Sequence, residues 1–304
     1  MTTRRISMVA AAAVLALGLS ACGSDDGGSD GGADGGSGLK IGIKFDQPGL
    51  GLKVGDQYTG LDVDVAKYVA KELGTAEGDI TFVQSPSAQR ETLISSGQVD
   101  LIFATYSITD ARKEKISFGG PYFIAGQDLL VRADDTSITG PDTLDGKKLC
   151  SVTGSTSAQK VKDKVAGVNL VEFGTYSECL AALLGGGVDA LTTDDTILAG
   201  YAAQEANKGK LKVVGAPFSE ERYGVGLKKG DVALCEKVNA ALKKMVEDGS
   251  WQKAVDANLG PAGYKAPAGN PPPPPTPAPD RLVGRVPPAS PGAGGTPRRT
   301  MKGE

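Results

Sequence analysis

Between Leu39 and Tyr264 short apolar runs alternate with amphipathic ones, and the alternation runs its course twice. Nothing else in the chain narrows the possible folds as much. Strands are predicted at "LKIGIKF", "DITFVQS", "VDLIFAT", "KLCSVT", "NLVEF", "VDALTT" and "LKVVGAP". Helices are predicted to start near Asp62, Ala88, Thr156, Ser177, Thr196 and Asp231. Strands alternating with helices build parallel sheets covered by helices, an α/β class. One series closes on "LIFATYSITD" and the second on "ALTTDDTILAG"; each ends a strand in hydroxyl and acidic residues ahead of a helix. In open α/β sheets ligands bind outside the carboxyl ends of strands, so two such edges predict two lobes facing a cleft. "YFIAGQDLLVRADD" and "FSEERYGVGLKKG" read as extended crossovers between them. The expected division is residues 39–125 and 222–264 for lobe one and 126–221 for lobe two.

The ends of the chain are of another kind. Arg4-Arg5, an apolar run from Met8 to Leu19 and "LSAC" ending at Cys22 form an export signal over residues 1–21, too short to span a membrane. The twin Arg is a weak match to a Tat signal, so the Sec route is expected. Leu-Ser-Ala-Cys resembles the lipobox of bacterial lipoproteins, which implies a diacylated Cys22 and an extracytoplasmic protein anchored to the cell membrane; an ordinary signal peptide with an incidental Cys is the alternative. Residues 22–38, almost entirely Gly, Ser and Asp, cannot bury a core and read as a flexible tether. Residues 265–304, rich in Pro and Gly without periodicity, read as a disordered tail.

Among 304 residues there is no histidine. That removes Ser-His-Asp and Cys-His nucleophiles and the commonest zinc sets, and the four cysteines form no CxxC pair. No metal and no cofactor are expected. The net charge of -3 argues against a nucleic-acid partner.

"GLDVDVAKYVAKEL" (residues 60–73) places Gly, an apolar residue and two acids spaced by one apolar residue ahead of an amphipathic helix with a Val65, Val69, Leu73 stripe. It resembles the signature of family 3 extracellular solute-binding proteins. The resemblance runs from Leu39 to about Tyr264 and is nearest to the glutamate and aspartate components of ABC importers. It implies a two-lobed periplasmic-binding-protein fold (type II), monomeric, with the ligand in the inter-lobe cleft and the crossovers as hinge. Such a protein closes on a free amino acid and presents it to permease subunits. Asp62 and Asp64 themselves read as capping and packing residues at a helix start.

The resemblance also implies site residues. Arg112, after "SITDAR", grips the ligand α-carboxylate in a bidentate fork, with Thr105 and Ser107 lining the same group. Asp194 in "TTDD" binds the α-ammonium; Asp195 is the alternative, unless it caps the following helix. The "TGSTSAQK" turn brings Ser155 and Thr156 to the carboxylate from lobe two, at a helix start that also suits an anion. Ser87 and Arg90 in "SAQR" match a Ser-x-x-Arg beside the side-chain carboxylate, and Lys44 is a second candidate for that charge. L-glutamate is the favoured ligand, with aspartate and glutamine open. Cys150, on the first lobe-two strand, and Cys179, in a lobe-two helix, are expected to pair in an oxidising compartment, leaving Cys235 free. Two rivals remain: a cleft enzyme of the same fold resembling cyclohexadienyl or arogenate dehydratases, which would need a placed general acid, and an amino-acid sensory domain.

Overall fold

The computed structural model describes residues 38–273. The export signal, Cys22 with the tether up to residue 37, and the tail beyond Pro273 lie outside the described residues.

The first series opens with β1 (Leu39–Ile43), whose Ile41 and Ile43 are buried because the strand lies between two parallel neighbours. A small antiparallel sheet follows: β2 (Asp46–Gln47), β3 (Gly51–Val54) and β4 (Gln57–Thr59). The sequence did not announce it, since strands of two to four residues leave no readable alternation. Helix α1 (Leu61–Glu72) starts after Gly60, keeps Asp62 and Asp64 in its first turn and buries Val65 and Val69. Next come β5 (Ile80–Gln84), a 3₁₀ turn (Ser87–Gln89) running into α2 (Arg90–Ser95), β6 (Leu101–Ile102) and the single turn α3 (Asp110–Lys113).

The long strand β7 (Ser117–Arg132) leads into the second series: β8 (Lys148–Val152), α4 (Thr156–Lys164), β9 (Asn169–Phe173), α5 (Tyr176–Leu184), β10 (Ala190–Asp194), α6 (Asp195–Ala203) and β11 (Leu211–Val213). Strand β12 (Glu220–Leu227) returns to the first half, and α7 (Val232–Glu247) and α8 (Ser250–Leu259) pack on α1.

The sheet order is β5-β1-β6-β12-β7-β10-β8-β9, with β11 on β7. Each end of this path is a parallel α/β unit: β1 with β5 and β6, and β8 with β9 and β10. The middle is antiparallel, because β7 and β12 are the crossovers and run past each other along most of their length. This is the two-lobed type II periplasmic-binding fold. Under the crossovers Phe123 stacks with Tyr223 (centroids 5.9 Å apart) and with Trp251 (6.1 Å), and the indole N–H donates to the Tyr122 carbonyl (2.7 Å).

A disulfide joins Cys150 of β8 to Cys179 of α5, with Cα atoms 5.6 Å apart, inside the usual range. Among the described residues Cys235 has no disulfide partner, and its thiol donates to the Phe118 carbonyl. The tail does not begin at residue 265 as composition suggested. Asn270 donates to the Ile124 carbonyl (2.8 Å) and accepts the Ile124 N–H (2.9 Å), so its amide acts as a short stretch of partner strand for β7. Tyr264 donates to Asp195 (2.9 Å), and Pro272 is buried beside Trp251.

Candidate functional site

Three cations from the first series gather in the interior. Lys44 follows β1, Arg90 opens α2 and Arg112 lies in α3; their exposures are 3%, 2% and 8%. Cations this deep normally have partners. The Arg90 guanidinium donates to the Ala104 carbonyl (2.9 Å) and reaches the Ser87 carbonyl (3.5 Å); that of Arg112 donates to the Ser107 carbonyl (2.7 Å) and the Gly154 carbonyl (3.2 Å), with Glu91 3.4 Å from its Nε. A guanidinium has five N–H groups, so these contacts leave Arg112 one on each terminal nitrogen, the number a bidentate carboxylate takes. Both guanidinium carbons lie over the Tyr106 ring, 4.2 Å (Arg90) and 4.8 Å (Arg112) from its centroid. Lys44 has neither ion pair nor hydrogen bond among the described residues; its ammonium lies 5.7 Å from the Tyr176 ring centroid.

This crowding has an electrostatic consequence. Burial first, then Arg90, lowers Lys44 to about 7, with Arg112 acting in the same sense and Asp46 and Asp62 opposing. Burial first, then Arg112, lowers Arg90 to about 10. An anion arriving among these groups would find positive charge that the fold has only partly answered.

The second series supplies the opposite charge. Asp194, the last residue of β10, is 3% exposed and accepts the Tyr223 hydroxyl (2.7 Å). Its carboxyl is held well above the usual range by burial first and by Glu221 second, with Asp195 adding and Tyr223 and Lys160 opposing. Asp195 is otherwise engaged: its Oδ1 accepts from Thr196 N–H, Gly126 N–H and the Tyr264 hydroxyl. Of the two acids, Asp194 has the fewer donors among the described residues, Tyr223 alone. The helix expected at Thr196 begins one residue earlier, at Asp195.

The turn before α4 meets the first series directly. Ser155 caps α4 by accepting the Ala158 N–H (2.9 Å), and the Thr156 hydroxyl reaches the Ser107 hydroxyl (3.4 Å). Gly154 has φ +76°, and a Cβ there would sit 2.7 Å from Ala88 Cα, so only glycine lets this turn approach so closely. Thr105 differs from expectation. Strand β6 stops at Ile102, and Thr105 lies in the turn beyond it, at φ 45°. Its N–H donates to Asp62 (2.9 Å) and its hydroxyl to the Ala104 carbonyl (2.7 Å), while the Ser107 N–H donates to the Thr105 carbonyl (3.1 Å). Ser87 and Ser107 are buried beside their arginines.

Several residues of this neighbourhood were not singled out beforehand. Tyr106 is the ring both arginines share; its place between Thr105 and Ser107 was the available signal. Among the described residues, Gln47 Nε2 and Thr193 Oγ1 are buried without a hydrogen-bond partner. Asp46 accepts the N–H groups of Tyr176 (3.0 Å) and Ser177 (3.2 Å) at the start of α5, and its carbonyl accepts the Tyr201 hydroxyl (2.5 Å). These bonds join the two series across the cleft.

The profile of the bacterial extracellular solute-binding proteins, family 3, matches residues 39–261. The chain belongs to this family. As a family 3 member it is 48% identical over 272 residues to the glutamate-binding protein GluB of Corynebacterium efficiens, covering 86% of this chain and 92% of that one. It is 38% identical over 215 residues to the ABC transporter glutamine-binding protein GlnH of Bacillus subtilis strain 168, covering 70% and 78%. Among solved structures, an ancestral arginine-binding protein bound to glutamine superposes with a TM-score of 0.69 at 36% identity, covering 74% of this chain and 98% of that one. No helix among the described residues is long and apolar enough to cross a membrane.

Proposed function

We propose that this family 3 protein is the amino-acid-capturing component of an ABC importer, that its ligand is L-glutamate, and that lipid on Cys22 anchors it. One observation carries the glutamate assignment. Lys44, Arg90 and Arg112 are buried on one side of the cleft, both guanidinium groups over the Tyr106 ring, while Asp194, with Glu221 near it, lies on the other. A free amino acid needs one cation for its α-carboxylate and one anion for its ammonium. Arg112 and Asp194 take those parts. Glutamate brings one more carboxylate, and Lys44 and Arg90 are there to meet it. The relative named for glutamate at 48% identity supports the same ligand.

Glutamine is the second candidate, favoured by the relative named for it and by the orphan Gln47 and Thr193 atoms, which suit an amide as well as a carboxylate. A cleft enzyme finds less support. Asp62 has a carboxyl raised to about 6, yet both its oxygens already accept protein donors, Thr105 and Tyr122.

Titration calorimetry with a panel of amino acids tests the assignment. Wild-type protein is expected to bind L-glutamate in the micromolar range, about -8 kcal/mol, with aspartate and glutamine weaker. Absence of heat with all three would refute it. For the anchor, Cys22→Ser should leave an unprocessed precursor or release protein into the medium, since two acyl chains give stable attachment and none gives none. Retention of that variant by membranes after a salt wash, with its signal segment removed, would contradict lipidation at Cys22.

A further inference from the structure

Asp62 stands apart from the residues assigned to the ligand: it lies in the first turn of α1, yet both its side-chain bonds go to residues outside the helix. Its side chain is completely buried, and each oxygen has one donor: Oδ2 accepts the Thr105 N–H (2.9 Å) and Oδ1 the Tyr122 hydroxyl (2.6 Å).

What these two bonds hold is informative. Thr105 is the one non-glycine residue with positive φ among the described residues. A β-branched side chain in the left-handed region is an outlier that persists only where its surroundings enforce it. From Thr105 the bonding continues without a break: its carbonyl accepts the Ser107 N–H (3.1 Å), and the Ser107 carbonyl accepts Arg112 Nη1 (2.7 Å). Tyr122, the other donor, belongs to β7, the strand that crosses between the lobes, and its carbonyl is held by Trp251.

We propose that Asp62 is a positioning residue: it fixes the Thr105 turn that aims Arg112 and ties that turn to the crossover strand β7. The inference rests on the assignment of Arg112 as the carboxylate grip. A carboxylate here is not the stabilising choice, because burial raises it to about 6 against the help of Tyr122, Thr105, Arg90 and Lys44. A carboxylate at a site where burial disfavours its charge fits a role in placing other groups. The competing account makes Asp62 only a counter-charge for Lys44 and Arg90.

Two measurements on the intact protein separate these accounts. Hydrogen exchange of the free protein reads the turn without any ligand. In Asp62→Ala, amides of residues 104–112 should exchange at least tenfold faster while those of α7 do not change, and Asp62→Asn, which keeps an acceptor for Thr105, should restore protection. Calorimetry with L-glutamate and L-glutamine reads the consequence. Asp62→Ala should lose about 30-fold or more for both ligands alike, and Asp62→Asn should stay within about fivefold of wild type for both. Tyr122→Phe, which removes one hydroxyl, should lose about three- to tenfold for both, and it keeps the test open if Asp62→Ala does not fold. Unchanged exchange in Asp62→Ala, or in Tyr122→Phe no loss for either ligand, overturns the inference. Changes for glutamate alone also overturn it, in favour of the counter-charge. If wild type binds neither ligand, the glutamate assignment fails, while the exchange arm still decides whether Asp62 holds the turn.

Discussion

The two walls of the cleft are built alike and charged oppositely. Each is the carboxyl edge of a parallel α/β unit. The first presents Lys44, Arg90 and Arg112, with Asp62 beneath them; the second presents Asp194 with Glu221 close by, and the start of α4. On the first wall burial pulls Lys44 and Arg90 down, and on the second it pushes Asp194 up. Neither wall is in its most stable state alone. A ligand with a carboxylate at each end and an ammonium between them would relieve both, so the difference between the walls constrains a ligand more closely than either wall does.

The largest effects should come from removing the principal charge of either wall. Arg112→Ala and Asp194→Ala each strand a ligand charge in a poorly hydrated cleft, at about 3–5 kcal/mol, and should abolish calorimetric binding of every amino acid tested. If one of them merely weakens binding of glutamate, the walls do not share the ligand as described.

The disulfide is a feature of the second wall alone. Replacing Cys150 and Cys179 together by Ala should lower unfolding free energy by about 3–4 kcal/mol, given a sequence separation of 29 residues. Scanning calorimetry would register it, and glutamate affinity should change little at temperatures where the variant stays folded.

Lys44 sharpens the comparison through pH. Its folded value lies near 7, below its ordinary 10.5, so the unfolded chain holds the extra proton between those values. Stability from this group is therefore depressed below pH 7 and recovers as pH rises toward 10. Lys44→Met should be more stable than wild type at pH 6, by about 2–4 kcal/mol, with the gap narrowing by pH 9. A gap independent of pH would mean the ammonium is not under strain.

Smaller effects should mark the end of the chain. Truncation after Pro273 should leave stability within about 0.5 kcal/mol, while Asn270→Ala should lower it by about 1–2 kcal/mol through the two bonds to Ile124. Thermal melts of the two proteins compare them directly.

Much of this was legible in the chain. The doubled strand-helix order gave both walls, because parallel strands buried on two faces leave continuous apolar runs such as "LIFA". The Cys150–Cys179 pair was within reach from a strand and a helix of one lobe in an oxidising compartment, and Arg112 after "SITDAR" from the family resemblance. Other features were hidden for physical reasons. Asp62 reads as an ordinary first-turn acid, and only the return of Thr105 and Tyr122, 43 and 60 residues later, gives it a second meaning. The left-handed turn at Thr105 has no glycine or asparagine to signal it. Asn270 sits inside a Pro-rich composition that points to disorder, yet one side chain with both a donor and an acceptor docks it on β7.

The account stands on the surplus positive charge of the first wall reading a second carboxylate. Its most direct test is calorimetry of L-glutamate and L-glutamine against wild type, Arg90→Ala and Lys44→Met. The two ligands differ by one charge and little in shape. Wild type should prefer glutamate, and the variant lacking the reading cation should lose about 2 kcal/mol for glutamate and under about 0.5 kcal/mol for glutamine. Equal losses for the two ligands in both variants would contradict it.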